Sequence, residues 1–235
     1  GGLRRRQEKP GTFPIPHACC ALPSARVFCF VPAHMIRLPA LTADRMQWHL
    51  PLSNPGAGDL LRCFLTDGLE QAQARFADLL SGEPPLVLWC VCRAPGWRVT
   101  PPRGLQDIAN WLAGHGLDVL QWEDDDRVAL APCEPSQLLR WAQLAGQSIL
   151  VSRLAAGCGQ DGPSPRLAML GLLHNAADWL AGCDSAANAS ATAQPPDFLP
   201  EWLVVWLRDL AAQPATDPRA AAVARAIATL AAATG

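Results

Sequence analysis

The sequence contains no tyrosine, 3 methionines and 6 phenylalanines, against 9 tryptophans, so its aromatic content rests on indole rings. It has no uninterrupted apolar run of about 18 residues, the length a membrane-spanning helix requires, and no membrane association is expected. A basic excess is also missing. The 19 lysines and arginines face 21 acidic residues for a net charge of −2, which argues against a nucleic-acid partner. The 9 cysteines include no C-x-x-C pair: Cys19 and Cys20 are adjacent, one residue separates Cys90 from Cys92, and the others are scattered. That spacing excludes the usual zinc knuckles and suits reduced, mostly buried thiols in a cytoplasmic protein. Glycine-rich phosphate loops, G-x-S-x-G elbows, H-E-x-x-H pairs and tandem repeats of fixed period are all absent. Sustained alternation of apolar and polar residues occurs nowhere for long, while alanine and leucine abound. The expectation is an all-α or nearly all-α fold.

What is present is a chain of 235 residues, 50% apolar, which suffices for a sizeable core. Its first part differs in character. Residues 1–34 carry Arg4-Arg5-Arg6, five prolines and an apolar patch around Val27 to Val31. That patch is too short and too proline-broken for a signal peptide. Met35 is the expected native start, and 1–58 is expected to be an extended or disordered leader, with the turn Asn54-Pro55-Gly56 near its end.

From Asp59, a candidate N-cap, a helix is predicted to Leu80, weakened in its middle by Gly68. A second starts at Pro84-Pro85 and stops before Pro95-Gly96. A third covers Leu105 to Ala113, and a short fourth runs from Leu117 to Trp122 into the acidic turn Glu123 to Asp126. Ser136 is taken as the cap of a long fifth helix reaching Ala156. Its small-residue face of Ala142, Ala145, Ile149 and Ser152 would let another helix approach closely. Ser164-Pro165 then opens one buried helix ending at Gly182, with Leu170, Leu173, Ala177 and Leu180 on its core side and the polar pair His174-Asn175 beside them. Cys183 to Pro196 is a linker. Leu199 to Ala212 is helical, with Trp202 and Trp206 at i and i+4, and Asp217-Pro218 starts a last Ala-rich helix.

Two stretches carry a family resemblance. Glu83-Pro84-Pro85-Leu86, Cys92-Arg93 and GLQDIANWLAGHGLDVLQW (104–122) resemble the amino-terminal half of HDOD domains. LLRWAQLAGQSILVSRLAA (138–156) and LAMLGLLHNAADWLA (167–181) resemble the paired metal-binding helices of the wider HD superfamily. The resemblance implies a multi-helix bundle over 59–235, with an N-terminal helical half at 59–126 and an HD-like half at 136–235. Where the family pattern has its first metal-binding histidine, two residues after a tryptophan, this chain has Trp141-Ala142-Gln143. Where the His-Asp doublet is expected, it has His174-Asn175. A metal-dependent phosphohydrolase needs histidines and carboxylates to hold its cation, and neutral amides are poor substitutes. Gln143, His174 and Asn175 are therefore read as remnant positions, with no catalytic residue, metal or cofactor expected.

The function this implies is a non-catalytic HDOD-like regulatory module of bacterial signalling that binds a protein partner or an appended signalling domain. The N-terminal part of a sensor histidine kinase of a two-component system is one setting. Trp202 and Trp206 are the candidate interaction surface, although tryptophans are core residues by default. The alternatives are a divergent HD phosphohydrolase using His174 and Asp178, and an unrelated helical scaffold. His174 itself is expected to donate to a backbone carbonyl or to Gln143.

Overall fold

A computed structural model describes residues 48–66, 68–120, 128–159, 162–181, 197–212 and 215–234. The sequence expectations for 1–47, for the acidic turn 123–126, for Gly182 and for the linker 183–196 lie outside the described residues. The fold is predominantly helical, as the composition predicts.

Among the described residues the one departure is a pair of short strands, β1 (Trp48–Leu52) and β2 (Val128–Pro132). They run parallel with Trp48 opposite Val128 and Leu52 opposite Pro132, and the Cys133 amide extends the ladder to the Leu52 carbonyl at 2.8 Å. Parallel strands need a long crossover, and four helices supply it here. Pro51 and Pro132 are tolerated because a two-stranded sheet consists only of edges. The pattern is too short and too proline-rich to announce a strand in the sequence.

The first helix, α1 (Asn54–Phe64), begins earlier than Asp59. Ser53 is its N-cap, with Oγ accepting from the Gly56 amide at 2.9 Å, and Pro55 occupies the first turn. The Asn54-Pro55-Gly56 sequence is thus the first turn of a helix. A boundary at residue 58 cuts through α1 and leaves β1, which pairs with β2, on the leader side. The predicted span to Leu80 is in fact two helices. Gly68 adopts φ +91°, a left-handed conformation that ends one and precedes α2 (Leu69–Gly82).

The third helix, α3 (Pro84–Arg93), is at the centre of the described core. Residues 84–92 are all buried, so it is apolar on every side, and it packs on both strands and on α2. Next comes α4 (Leu105–His115), followed by a 3-10 turn, Gly116–Leu120, where a short helix is predicted. The long helix is α5 (Leu138–Ala156). A capping box between Glu134 and Gln137 precedes it, so Ser136 is not its cap.

The stretch predicted as one buried helix from Ser164 divides. Ser164 does cap it, accepting from the Leu167 amide at 3.3 Å, but α6 (Pro165–Leu173) stops at a turn formed by His174 and Asn175. The chain resumes as α7 (Ala176–Ala181). After α8 (Glu201–Ala211), the Asp217 carboxylate accepts from the Arg219 amide at 2.7 Å to start α9 (Pro218–Thr234), as Asp217-Pro218 predicts. One continuous core joins Phe76, Leu80, Ile108, Leu112, Met169 and Leu203 across all these helices.

Candidate functional site

The sequence directs attention to the α5/α6 pair and the turn after it. The two helices run antiparallel. The Ser164 amide returns to the Ala156 carbonyl at 2.9 Å, Gly171 lies against Ser152, and Arg140 Nη2 donates to the Asp178 carbonyl at 3.2 Å. The approach at Gly171 is close: a Cβ there would stand 2.6 Å from Ser152 Cα and 2.8 Å from its amide nitrogen. Only glycine fits. Of the small-residue face predicted for α5, Ala145 and Ser152 are buried, Ile149 is half-buried and Ala142 is exposed, and Ser148 and Ala155 complete the buried side.

At the end of α6 the His174 ring turns back on its own helix, with Nδ1 2.7 Å from the Gly171 carbonyl. A carbonyl only accepts, so Nδ1 carries the proton and Nε2 the lone pair of the neutral ring. The last carbonyls of a helix have no amide partner within it, and this contact caps one of them. Burial pushes the His174 imidazole below its ordinary value of 6.5, against the opposing influence of the Gly171 carbonyl and Asp178. Asn175 is buried and its carbonyl starts α7, accepting from the amides of Asp178 and Trp179 at 3.0 Å. Its side-chain nitrogen is without a hydrogen-bond partner, as is the hydroxyl of Ser148, which the antiparallel register carries to the same level of the pair.

Gln143 is exposed on α5, and none of the described hydrogen bonds joins it to His174. The three remnant positions are therefore not gathered into one constellation. His174 and Asn175 share a turn, and Gln143 faces away. Among the described residues, no group of three or more His, Cys, Asp or Glu side chains converges as a metal site. A neutral amide in place of a carboxylate at 175 and an outward-facing Gln143 do not fit the cation of an HD phosphohydrolase. The aspartates further along serve the chain itself. Asp209 accepts from the Thr216 hydroxyl at 2.6 Å and from the Thr216 and Asp217 amides, tying α8 to α9, and these bonds lower its pKa.

The tryptophan pair is corrected. Trp206 is only 5% exposed, and the indole of half-buried Trp202 donates to the Trp97 carbonyl at 2.7 Å. Both indoles pack inward because α8 closes over the core, so they do not form an exposed partner surface. Cys63, Cys90, Cys92 and Cys133 are buried free thiols, and burial pushes all four up in pKa.

Sequence reasoning missed one buried acid. Glu83, 6% exposed, precedes the Pro84-Pro85 start of α3 and reaches the cap of α1. Its Oε1 accepts from the Ser53 hydroxyl and its Oε2 from the Ser53 amide at 3.5 Å. A Cβ on Gly56 would collide with this carboxyl, so glycine there leaves its room. Burial holds the Glu83 carboxyl above its ordinary value of 4.5, although the Ser53 hydrogen bonds act the other way. The role is structural: one side chain joins the α2–α3 corner to the start of α1. Only its place directly before two prolines hinted at it.

A second feature is exposed apolar surface on α5. Leu139 is 73% exposed and Leu150 45%, with Leu154 beside them, on the side of the helix opposite Ala145 and Ser152. Gly146 lies between them and nothing stands within 4 Å of where its Cβ would be. No described helix is long and apolar enough to cross a membrane. Comparison of the chain with protein-family models, curated proteins and solved structures finds no match.

Proposed function

We propose that the chain is a non-catalytic helical module of the HDOD kind that works by binding another protein or an appended signalling domain in bacterial signal transduction. The observation that carries this reading is the outer face of α5. The longest described helix leaves Leu139, Leu150 and Leu154 in water at helical spacing, while its opposite face packs on α6. Exposed apolar residues scattered singly are ordinary, but a row along one helix is what a partner surface needs. The residue pattern at the turn supports the non-catalytic part. His174 is a neutral helix cap, Asn175 is an amide where the related pattern has a carboxylate, and Gln143 is turned outward.

The test is direct. Purified protein is assayed for bound metal and for phosphodiesterase and nucleotidase turnover with Mn, Fe, Ni, Mg or Zn supplied. Turnover at background level, unchanged in His174→Asn, is the expected result. Metal-dependent turnover that His174→Asn abolishes at unchanged stability overturns the reading in favour of a divergent phosphohydrolase.

A further inference from the structure

Two buried polar side chains stand without protein partners where α5 passes the break between α6 and α7. Ser148 is 0% exposed and Asn175 is 9% exposed, yet neither the Ser148 hydroxyl nor the Asn175 side-chain nitrogen has a hydrogen bond among the described residues. Leaving a buried polar group unbonded costs more than an average hydrogen bond gains, so such a pair calls for a partner. The helix register brings the two together. Gly171 lies against Ser152, and in an antiparallel pair one turn forward on α6 meets one turn back on α5, which is Asn175 and Ser148. They do not bond directly: the hydroxyl oxygen is able to accept from the amide nitrogen and does not. Nor does Ser148 bond back to the carbonyl of Leu144, the usual recourse of a serine inside a helix.

From this arrangement we infer a buried water site between α5 and the α6–α7 turn, with Ser148 Oγ and Asn175 Nδ2 as its protein ligands. Size, charge and protons together select water. One turn away, at Gly171, the backbones are so close that even a Cβ would not fit, so the seam has little room for a larger molecule. An anion would face the end of α6, where the helix dipole is negative. A cation would lack carboxylates to balance it, since no His, Cys, Asp or Glu group converges among the described residues. The Asn175 nitrogen only donates, so the ligand must accept. Water accepts that bond and gives its own protons to the Ser148 oxygen or to a carbonyl at the end of α6, where the last carbonyls have no amide partner in the helix. The water fastens the turn that interrupts α6 to the middle of α5.

The test uses the full chain. A crystal structure that resolves bound waters is expected to show one within hydrogen-bond reach of both Ser148 Oγ and Asn175 Nδ2. In solution, a nuclear Overhauser effect from water to the Asn175 side-chain amide protons is expected in the wild type and is lost in Ser148→Ala. Urea unfolding supplies an independent reading. Ser148→Ala and Asn175→Leu should each lower the folding equilibrium constant about tenfold, because each leaves the other ligand and the water half-bonded. The double variant should fall well short of the product of the two, about a hundredfold, since an apolar seam needs no water. Losses that multiply in full overturn the inference, as does a dry seam in which Ser148 donates to the Leu144 carbonyl. An Overhauser effect unchanged in Ser148→Ala also overturns it, and so does anomalous scattering from soaked bromide at the site, which assigns it to a halide. Should Asn175→Leu fail to fold, the wild-type density and the Ser148→Ala spectrum decide alone.

Discussion

His174 owes its state to two neighbours. The Gly171 carbonyl holds the Nδ1 proton and burial resists a second one, so the folded protein favours the neutral ring. A pKa lowered in the folded state means stability that is present above the ordinary value of 6.5 and is lost as pH falls through the folded value. His174→Ala should therefore cost about 1–3 kcal/mol at neutral pH, the loss of a half-buried hydrogen bond. The gap to wild type should narrow as pH drops below 6.5, and urea unfolding at a series of pH values reads it. A gap that widens on acidification contradicts the assignment. Glu83 runs the other way. Its pKa is raised in the folded state, so its contribution is full below 4.5 and declines as pH rises. Glu83→Gln keeps the shape without the charge, and its stability relative to wild type should improve as pH rises from 4.5 through the folded value and then level off. His174 was legible as a near-core imidazole from the apolar run around it. Glu83 was not, because an acid before two prolines looks like any loop residue until the tertiary fold brings Ser53 to it.

Helix ends and helix contacts show what local patterns capture. Ser164 and Asp217 act as caps in the structure because capping depends on residues within one turn. The breaks at Gly68 and at His174-Asn175 were harder to read, since apolar spacing continues across both. Two glycines, Gly146 on the outer side of α5 and Gly171 where α6 meets α5, separate intrinsic preference from packing. Gly146 has open space at its Cβ position, whereas at Gly171 a Cβ would press on the Ser152 backbone. Gly146→Ala should stabilise by about 0.5–1 kcal/mol through helix preference. Gly171→Ala should destabilise by about 1–3 kcal/mol despite the same preference, because the helices must move apart. Thermal or urea unfolding of the two variants checks both, and equal effects would sink the packing argument. In the sequence the two positions look alike.

The described residues are tied together by non-local contacts. β1 pairs with β2 across four intervening helices, and α3 packs against both strands as well as α4, α5 and α6. Residues 43–126 and 127–235, produced as separate chains, should each show weak helical signal and no cooperative unfolding transition, and mixing them should restore one. A cooperative transition in either fragment alone would show that the halves fold independently.

Composition and periodicity by themselves determined the helical class, a helix starting at Pro84-Pro85, the long α5 and the polar character of the 174–175 pair, because each follows from residues within a few turns. Only the tertiary structure decided that residues 48–58 join the folded unit, that Trp202 and Trp206 turn inward, that Gln143 faces away from His174, and that α5 leaves its leucines in water. These depend on which face a helix turns toward partners far along the chain, and hydrophobic spacing names a face without naming what covers it.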